Sequence, residues 1–408
     1  MSTLSRRDWM ISAAAAASCL PFSGALAAKQ ESFGQDPAGV APDSLNGIAH
    51  SKGLGFGSCL NTGGSFGPDP ATRKRRPGSI DDPKMRELFV AQCGMLVPSN
   101  ELKWYALRPS QNEFDFARAD VLAEFCRSHK IAMRGHTLLW NRDVWLPKWL
   151  ESYDFGSNPA AEAERMLRRH VSTVCKHYGE RIFSYDVINE GVSPDTGEIE
   201  ASVFNKHLGI KTYEIMFHAA REAAPHAQLV YNDYMSWRPK DEVHRTGVLK
   251  LLEHLKKNNV PVDALGLQSH IGSSKAPLDA DGFEVVDEKA WRKFLDEVTG
   301  MGFDLVVTEL DVNDRYLPAD YESRDALVAA HGKRYLESVL SYPQMRYVMC
   351  WGIVDKYSWL QGNTPRPDGR PKRDTPYDSD FNPKKLRQAM AEAFAAAPVR
   401  PAMNPKPA

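Results

Sequence analysis

Eight short apolar runs recur along the chain, each followed by a longer stretch with room for a helix. The strand-like runs are Leu54–Cys59, Met95–Pro98, Ile131–Thr137, Phe183–Ile188, Leu229–Tyr234, Ala264–Ser269, Leu305–Glu309 and Tyr347–Trp351. Helical periodicity is clearest over Ala160–Tyr178, Lys211–Ala224, Asp241–Lys257, Lys289–Gly300, Arg324–Ser341 and Pro383–Ala396. Strands that alternate with helices predict parallel pairing through crossover connections. Eight is the number at which such a sheet closes into a (β/α)8 TIM barrel. An open doubly wound sheet is the alternative, but no G-x-G-x-x-G follows the first strand and no phosphate loop is present. The expected fold class is α/β, with one barrel domain over residues 48–397.

The ends of the chain read differently. Arg6-Arg7 precede an apolar stretch from Ile11 to Leu26, and Ala25-Leu26-Ala27 supplies a cleavage pattern. Residues 1–27 are therefore expected to be an export signal of the twin-arginine type, which puts the protein in the periplasm or outside a bacterial cell. The apolar stretch is too short and too weak to span a bilayer. Lipid attachment at Cys19 is a weaker alternative. Residues 28–47, rich in Gly, Pro, Ser and Asp, read as a linker, and residues 398–408 as a disordered tail.

With 408 residues, 42% of them apolar and 25% charged, the chain has the composition of a globular protein. A net charge of −1 offers no attraction to nucleic acid or to an anionic membrane. Cys59, Cys93, Cys126, Cys175 and Cys350 are scattered and odd in number, so they read as small hydrophobes and not as a disulfide framework. No HExxH and no paired CxxC occurs, so neither a bound metal nor a cofactor is expected. A monomer is the expected state.

Polar and aromatic residues gather where the strands end. Strand two runs into Ser99-Asn100-Glu101-Leu102-Lys103-Trp104, and strand three into His136-Thr137-Leu138-Leu139-Trp140-Asn141. Strand four ends at Asn189-Glu190, five at Asn232-Asp233-Tyr234, six at Gln268-Ser269-His270, and seven at Thr308-Glu309-Leu310-Asp311; Trp351 closes the eighth. In a barrel these ends build the active site. Taken singly, Glu190 and Glu309 read as strand-end charges paired with Lys or Arg. Facing one mouth, they form the carboxylate pair that glycoside hydrolysis requires, and a separation of ~5–5.5 Å selects retention of configuration. Trp140, Trp145 and Trp149 cluster, as do Trp351 and Trp359. Each could pack in the core or present a ring to the C–H face of a sugar.

The runs DVINEG (Asp186–Gly191), VTELDV, GLQSHI, RGHTLLW, SNELKW and CWGIVDKYSWL resemble the motifs of glycoside hydrolase family 10, the endo-β-1,4-xylanases. The resemblance runs from about Gly53 to the last helix. It implies a retaining enzyme that acts on xylan or xylo-oligosaccharides through a covalent intermediate. It implies that Glu190 is the acid/base and Glu309 the nucleophile, with Asn189 bonded to the sugar 2-hydroxyl. It further implies that His270 contacts the nucleophile, that Asp311 orients His270, and that Gln268 supports them. Asn100, Lys103, His136 and Trp140 would line the subsites on the non-reducing side, with Trp351 and Trp359 above them and Tyr234 on the leaving-group side. An ionised Glu309 is expected to raise the pKa of Glu190 by like-charge repulsion, keeping a proton there for the leaving oxygen.

The chain departs from the family pattern at two places. Ser99-Asn100 stands where Glu-Asn is usual, and Asn141-Arg142-Asp143-Val144-Trp145 follows Trp140 where His and then Gln are common. Altered contacts in the second glycone subsite are expected from the first. The second leaves the usual Gln contact without its residue, and Arg142 could instead meet an acidic decoration on the polymer. The run Arg73-Lys74-Arg75-Arg76 is either a solvated face or an attractor of uronic acid groups. The same machinery could act on β-1,4-glucan or aryl β-glycosides. A non-catalytic carbohydrate-binding barrel would require loss of a catalytic carboxylate, and both are present.

Overall fold

The computed structural model describes residues 41–66, 74–274 and 277–401. Strands β1 (Gly55–Leu60), β2 (Met95–Pro98), β3 (Ala132–His136), β4 (Ile182–Asn189), β5 (Gln228–Asp233), β6 (Ala264–Leu267), β7 (Asp304–Asp314) and β8 (Met345–Cys350) are parallel to their neighbours. β1 pairs with β2 on one side and β8 on the other, with Gly57 opposite Met95 and Gly55 opposite Tyr347. β7 pairs with β8 from Leu305 and Met345 onward, so the sheet closes on itself. The major helices follow each strand in turn: α1 (Pro83–Gln92), α2 (Ala117–His129), α3 (Pro159–Tyr178), α4 (Lys211–Ala223), α5 (Glu242–Lys257), α6 (Glu288–Gly300), α7 (Tyr321–Leu340) and α8 (Lys385–Ala396). This is a (β/α)8 barrel.

Local chemistry sets the helix ends. The Asn158 side chain accepts from the Ala161 N–H, Pro159 opens α3, and Gly179 at φ +54° ends it. Asp287 and Asp320 cap α6 and α7 in the same way. The interior of the barrel is apolar low down, where Met95, Phe183, Val230, Val306 and Tyr347 meet. Nearer the C-terminal ends it turns ionic. Arg134 Nη2 lies 2.6 Å from Asp186 Oδ1, both side chains are fully buried, and the guanidinium sits 5.1 Å from the centre of the Tyr347 ring. A buried ion pair is costly to desolvate. Here it forms the floor on which the polar strand ends stand.

Several sequence expectations need correction. The domain begins before residue 48: Leu45–His50 is a helix capped by Ser44, and Asn46 Oδ1 accepts from the Phe56 N–H at the foot of β1. The expected tail from 398 is anchored at its start, because Arg400 donates to the carbonyls of Leu340, Tyr342 and Met345. Neither contact leaves a periodic pattern in sequence. β7 does not stop at Glu309 but continues to Asp314, where it pairs with the short strand His270–Ser273. The expected signal at 1–27, Cys19, most of the linker and residues 402–408 lie outside the described residues. So does Arg73; Lys74–Arg76 pairs with Gly64–Phe66, and the side chains of this basic run are likewise outside them. Among the described residues the five cysteines are free, no cluster could hold a metal ion, and no helix is long and apolar enough to cross a membrane.

Candidate active site

Glu190 lies one residue past β4 with φ +55°, a backbone region that few residues other than glycine enter. Its N–H is bonded to the Asn232 carbonyl, 2.9 Å away. Gly191 follows because there is no room for a side chain: a Cβ there would come within 2.6 Å of the Tyr213 ring. The Tyr213 hydroxyl donates to the Gly191 carbonyl and accepts from Asn141 Nδ2 at 2.9 Å. The turn that presents Glu190 is thus clamped from behind by α4.

One chain of hydrogen bonds joins the two acids. Gln268 Nε2 donates to Glu190 Oε1 at 3.2 Å and to Asn189 Oδ1 at 3.1 Å. Asn232 Nδ2 donates to Asn189 Oδ1 and to Glu309 Oε1, both at 2.8 Å. Thr308 fixes Asn232 by donating to its Oδ1 at 2.7 Å. With its oxygen taken twice, Asn189 is left with its Nδ2 donors, which make no hydrogen bond among the described residues. On the other side of Glu309, His270 Nε2 approaches Oε2 at 3.4 Å while its Nδ1 meets Asp311 Oδ2 at 2.8 Å. The register of β7 with the His270 strand sets Asp311 opposite His270. Trp359 Nε1 donates to the same Asp311 oxygen at 2.7 Å.

The two carboxylates are pushed in opposite directions. Burial raises the pKa of Glu309, but His136, His270 and Lys103 outweigh it and the net shift is downward. Burial opposes protonation of His270 too, yet Asp311 and Glu309 raise its pKa to about 10. Burial also dominates at Glu190, where no cation overrides it: the Trp140 indole and Gln268 favour the charged form, Asp233 and Glu309 disfavour it, and the net shift is upward. The expected source of that shift, repulsion by Glu309, is therefore the smaller part. Asp233, fully buried behind Glu190 and 3.1 Å from His244, outranks it.

The remaining expected residues line the same mouth. Lys103 Nζ lies 4.5 Å from the Trp140 ring centre and 5.8 Å from that of Trp351, and 3.3 Å from Asn100 Oδ1. His136 donates from Nδ1 to Asp186 Oδ2 at 2.9 Å, which ties it to the buried Arg134 pair, and its ring meets Trp351 edge-on at 5.2 Å. Trp359 packs beside His270 at 5.0 Å. Tyr234 is half-buried and packs edge-on against His244 at 4.8 Å. Trp145 stacks on Trp140 at 4.4 Å, whereas Trp149 turns away to cover Arg108. Asn141 does not face the cleft: it bonds Tyr213 and Ser202 in the protein interior. Ser99 accepts from Asn100 Nδ2 at 3.2 Å, and the adjacent Glu101 turns away toward Thr62. Sequence reasoning assigned no role to Asn232, Asp186 or Asp233, although each stands at or near a strand end among motif residues.

A closed barrel with two buried carboxyls at one mouth, one shifted upward and the other downward, carries the acid pair of a glycoside hydrolase of the (β/α)8 class. The family model for glycosyl hydrolase family 10 matches residues 45–393, and this chain belongs to that family. Endo-1,4-beta-xylanase B of Thermotoga neapolitana is 30% identical over 319 residues, covering 76% of this chain and 84% of that protein. Native xylanase 10B from Thermotoga maritima superposes with a TM-score of 0.73 at 26% identity, covering 86% of this chain and 98% of that one. Xylanase 10B from Thermotoga petrophila RKU-1 in complex with xylobiose gives 0.72 at 25% identity, over 86% and 97%.

Proposed function

We propose that this protein is an endo-β-1,4-xylanase that cuts xylan with retention of configuration. The observation that carries the reading is the opposite charge bias of Glu190 and Glu309 at the two ends of one hydrogen-bond chain. Glu309, held ionised by His136, His270 and Lys103, is the nucleophile that attacks the anomeric carbon. Glu190, whose pKa burial and Asp233 raise, gives its proton to the leaving oxygen. The bond from Glu309 to the sugar forms as the bond to the leaving oxygen breaks. Glu190, now ionised, takes a proton from water, and the hydroxide so generated displaces Glu309. The Asn189 amide is free to donate to the sugar 2-hydroxyl, a contact that strengthens in the transition state. Trp140, Trp351 and Trp359 give the sugar rings an apolar wall, with Lys103, Asn100 and His136 as its polar partners.

Product analysis on xylan and on carboxymethylcellulose tests the reading, with Glu309→Ala and Glu190→Ala alongside. Xylo-oligosaccharides from xylan, with little release from the cellulose derivative, are expected. Glu309→Ala should abolish turnover; Glu190→Ala should spare the first step on aryl xylosides whose leaving group needs no proton. Full activity of Glu309→Ala would remove the mechanism. The proposal extends to export by the twin-arginine route as a monomer, on the strength of Arg6-Arg7 and the Ala25-Leu26-Ala27 pattern. A mature protein recovered from the periplasm or medium with its N-terminus near residue 28 is the expected result.

A further inference from the structure

The segment after Trp140 brings a cation to the general acid. Arg142 Nη1 lies 3.3 Å from Glu190 Oε2, and Arg142 Nε lies 3.7 Å from Glu200 Oε1. The segment is fixed on both sides of the arginine. Asn141 is bonded to Tyr213 and Ser202, Asp143 Oδ1 accepts from the Val203 N–H at 2.7 Å, and Trp145 is stacked on Trp140. The Arg142 side chain itself is 37% exposed. Among the described residues its guanidinium makes one hydrogen bond, to Glu190, although it carries five N–H donors. Tyr234, on the leaving-group side, also interacts with its charge.

We propose that Arg142 is a specificity-determining and positioning residue: it holds the general acid Glu190 in the free site and exchanges it for the carboxylate of a uronic acid branch on the leaving-group side of an acidic xylan. The inference rests on the xylanase reading above, with Glu190 as the acid. A guanidinium fork meets a carboxylate through two parallel bonds, so a substrate carboxylate offers Arg142 a better partner than its single 3.3 Å contact with Glu190. The exchange has a direction. In the free site the cation favours the ionised form of Glu190, which is the wrong form for a general acid. Once a substrate carboxylate neutralises Arg142, the groups left facing Glu190 are Asp233 at the end of β5 and Tyr234 after it, His244 on α5, Gln268 after β6, Glu309 on β7, and Lys103 and Trp140 in the loops after β2 and β3. Burial and the two carboxylates then keep its proton. An acidic branch thus adds a contact and loads the acid in the same step.

The test compares kcat/KM of the full chain and of R142Q and R142K on xylo-oligosaccharides with and without one glucuronic acid branch, across pH and salt. The unaltered protein should prefer the branched substrate roughly three- to tenfold at low salt, and less in about 0.5 M salt, because the pair is partly exposed. R142Q should bring that ratio to about one and move the basic limb on the unbranched substrate to higher pH, since Glu190 loses a cation. R142K, which keeps charge without the fork, should lose most of the preference and leave the limb in place. An unaltered ratio in R142Q, no preference in the unaltered protein, or a basic limb that fails to rise would each overturn the proposal. Failure of the unaltered protein on both oligosaccharides would instead remove the xylanase reading.

Discussion

Replacing His270 with Gln tests whether the nucleophile is kept ionised by charge or merely by hydrogen bonding. Glutamine keeps an N–H donor near the position of Nε2 but removes the cation 3.4 Å from Glu309 Oε2. Two unit charges at that distance interact by ~5 kcal/mol at an effective dielectric of about 20, an upper bound because half the imidazolium charge faces Asp311. An opposite charge this close typically lowers a carboxylate pKa by ~1–3 units. His136 and Lys103 remain in the variant, while Asp311 loses its His270 partner and keeps the bond from Trp359. The pKa of Glu309 therefore rises, because burial is then opposed by fewer cations. The sign is fixed by the chemistry: Glu309 must be ionised to attack, so the acid limb of kcat/KM moves to higher pH. An aryl β-xylobioside with a good leaving group is the substrate of choice, because it does not need the proton of Glu190. Asp311→Asn is the control. It lets the His270 pKa fall from about 10 toward its ordinary range near 6.5, still above the acid limb, so that limb should move much less. Equal shifts in the two variants would refute the charge argument, and no shift in His270→Gln would remove His270 from it altogether.

Asn232→Ala breaks the link between Asn189 and Glu309; losing a hydrogen bond to a charged group costs ~1.5–3 kcal/mol, so kcat/KM should fall roughly 10- to 150-fold, with a lowered Tm because buried partners lose their donor and acceptor. Ser99→Glu restores a long acceptor beside Asn100 and should change KM for short xylo-oligosaccharides; an unchanged KM would count against a substrate contact at this position. Gly191→Ala drives a methyl group to 2.6 Å from the Tyr213 ring, so thermal unfolding should show a loss of ~1–3 kcal/mol and kcat should drop as the Glu190 turn shifts.

What was legible in the sequence follows physical lines. β4 and β5 announce themselves as apolar runs that end in Asn-Glu and Asn-Asp, and α3 through its Asn-Pro start and long amphipathic face. Helix α1 was not legible, because Met85 and Phe89 alone form its buried face and give no clear period. Glu190, Glu309, His270 and Asp311 were readable from their motifs, and Asp311 also from alternation along β7. Asn232 was not. Its role depends on register, with Asn189 opposite Asn232 across β4 and β5, and no spacing within one segment encodes that. Nor could sequence reveal that Arg142 points at Glu190, or that Asn141 points away from the cleft, because both depend on how the segment after Trp140 folds back on Tyr213 and Val203.

The same barrel end shifts two glutamates in opposite directions, and like-charge repulsion between them is not what does most of it. Each acid is buried, so each begins with a bias toward its neutral form. The difference lies in what surrounds them. Around Glu309 stand three basic groups, and two of those are braced by carboxylates: His136 by Asp186, itself paired with Arg134, and His270 by Asp311. Beside Glu190 the buried carboxylate Asp233 raises its pKa further, and Arg142, the cation 3.3 Å away, is partly in solvent and so weakened by screening. Formation of a glycosyl ester removes the charge of Glu309 but leaves Asp233 and the burial of Glu190 intact. Glu190 therefore keeps a raised pKa in the second half of the reaction, which is what a general base taking a proton from water near neutral pH requires.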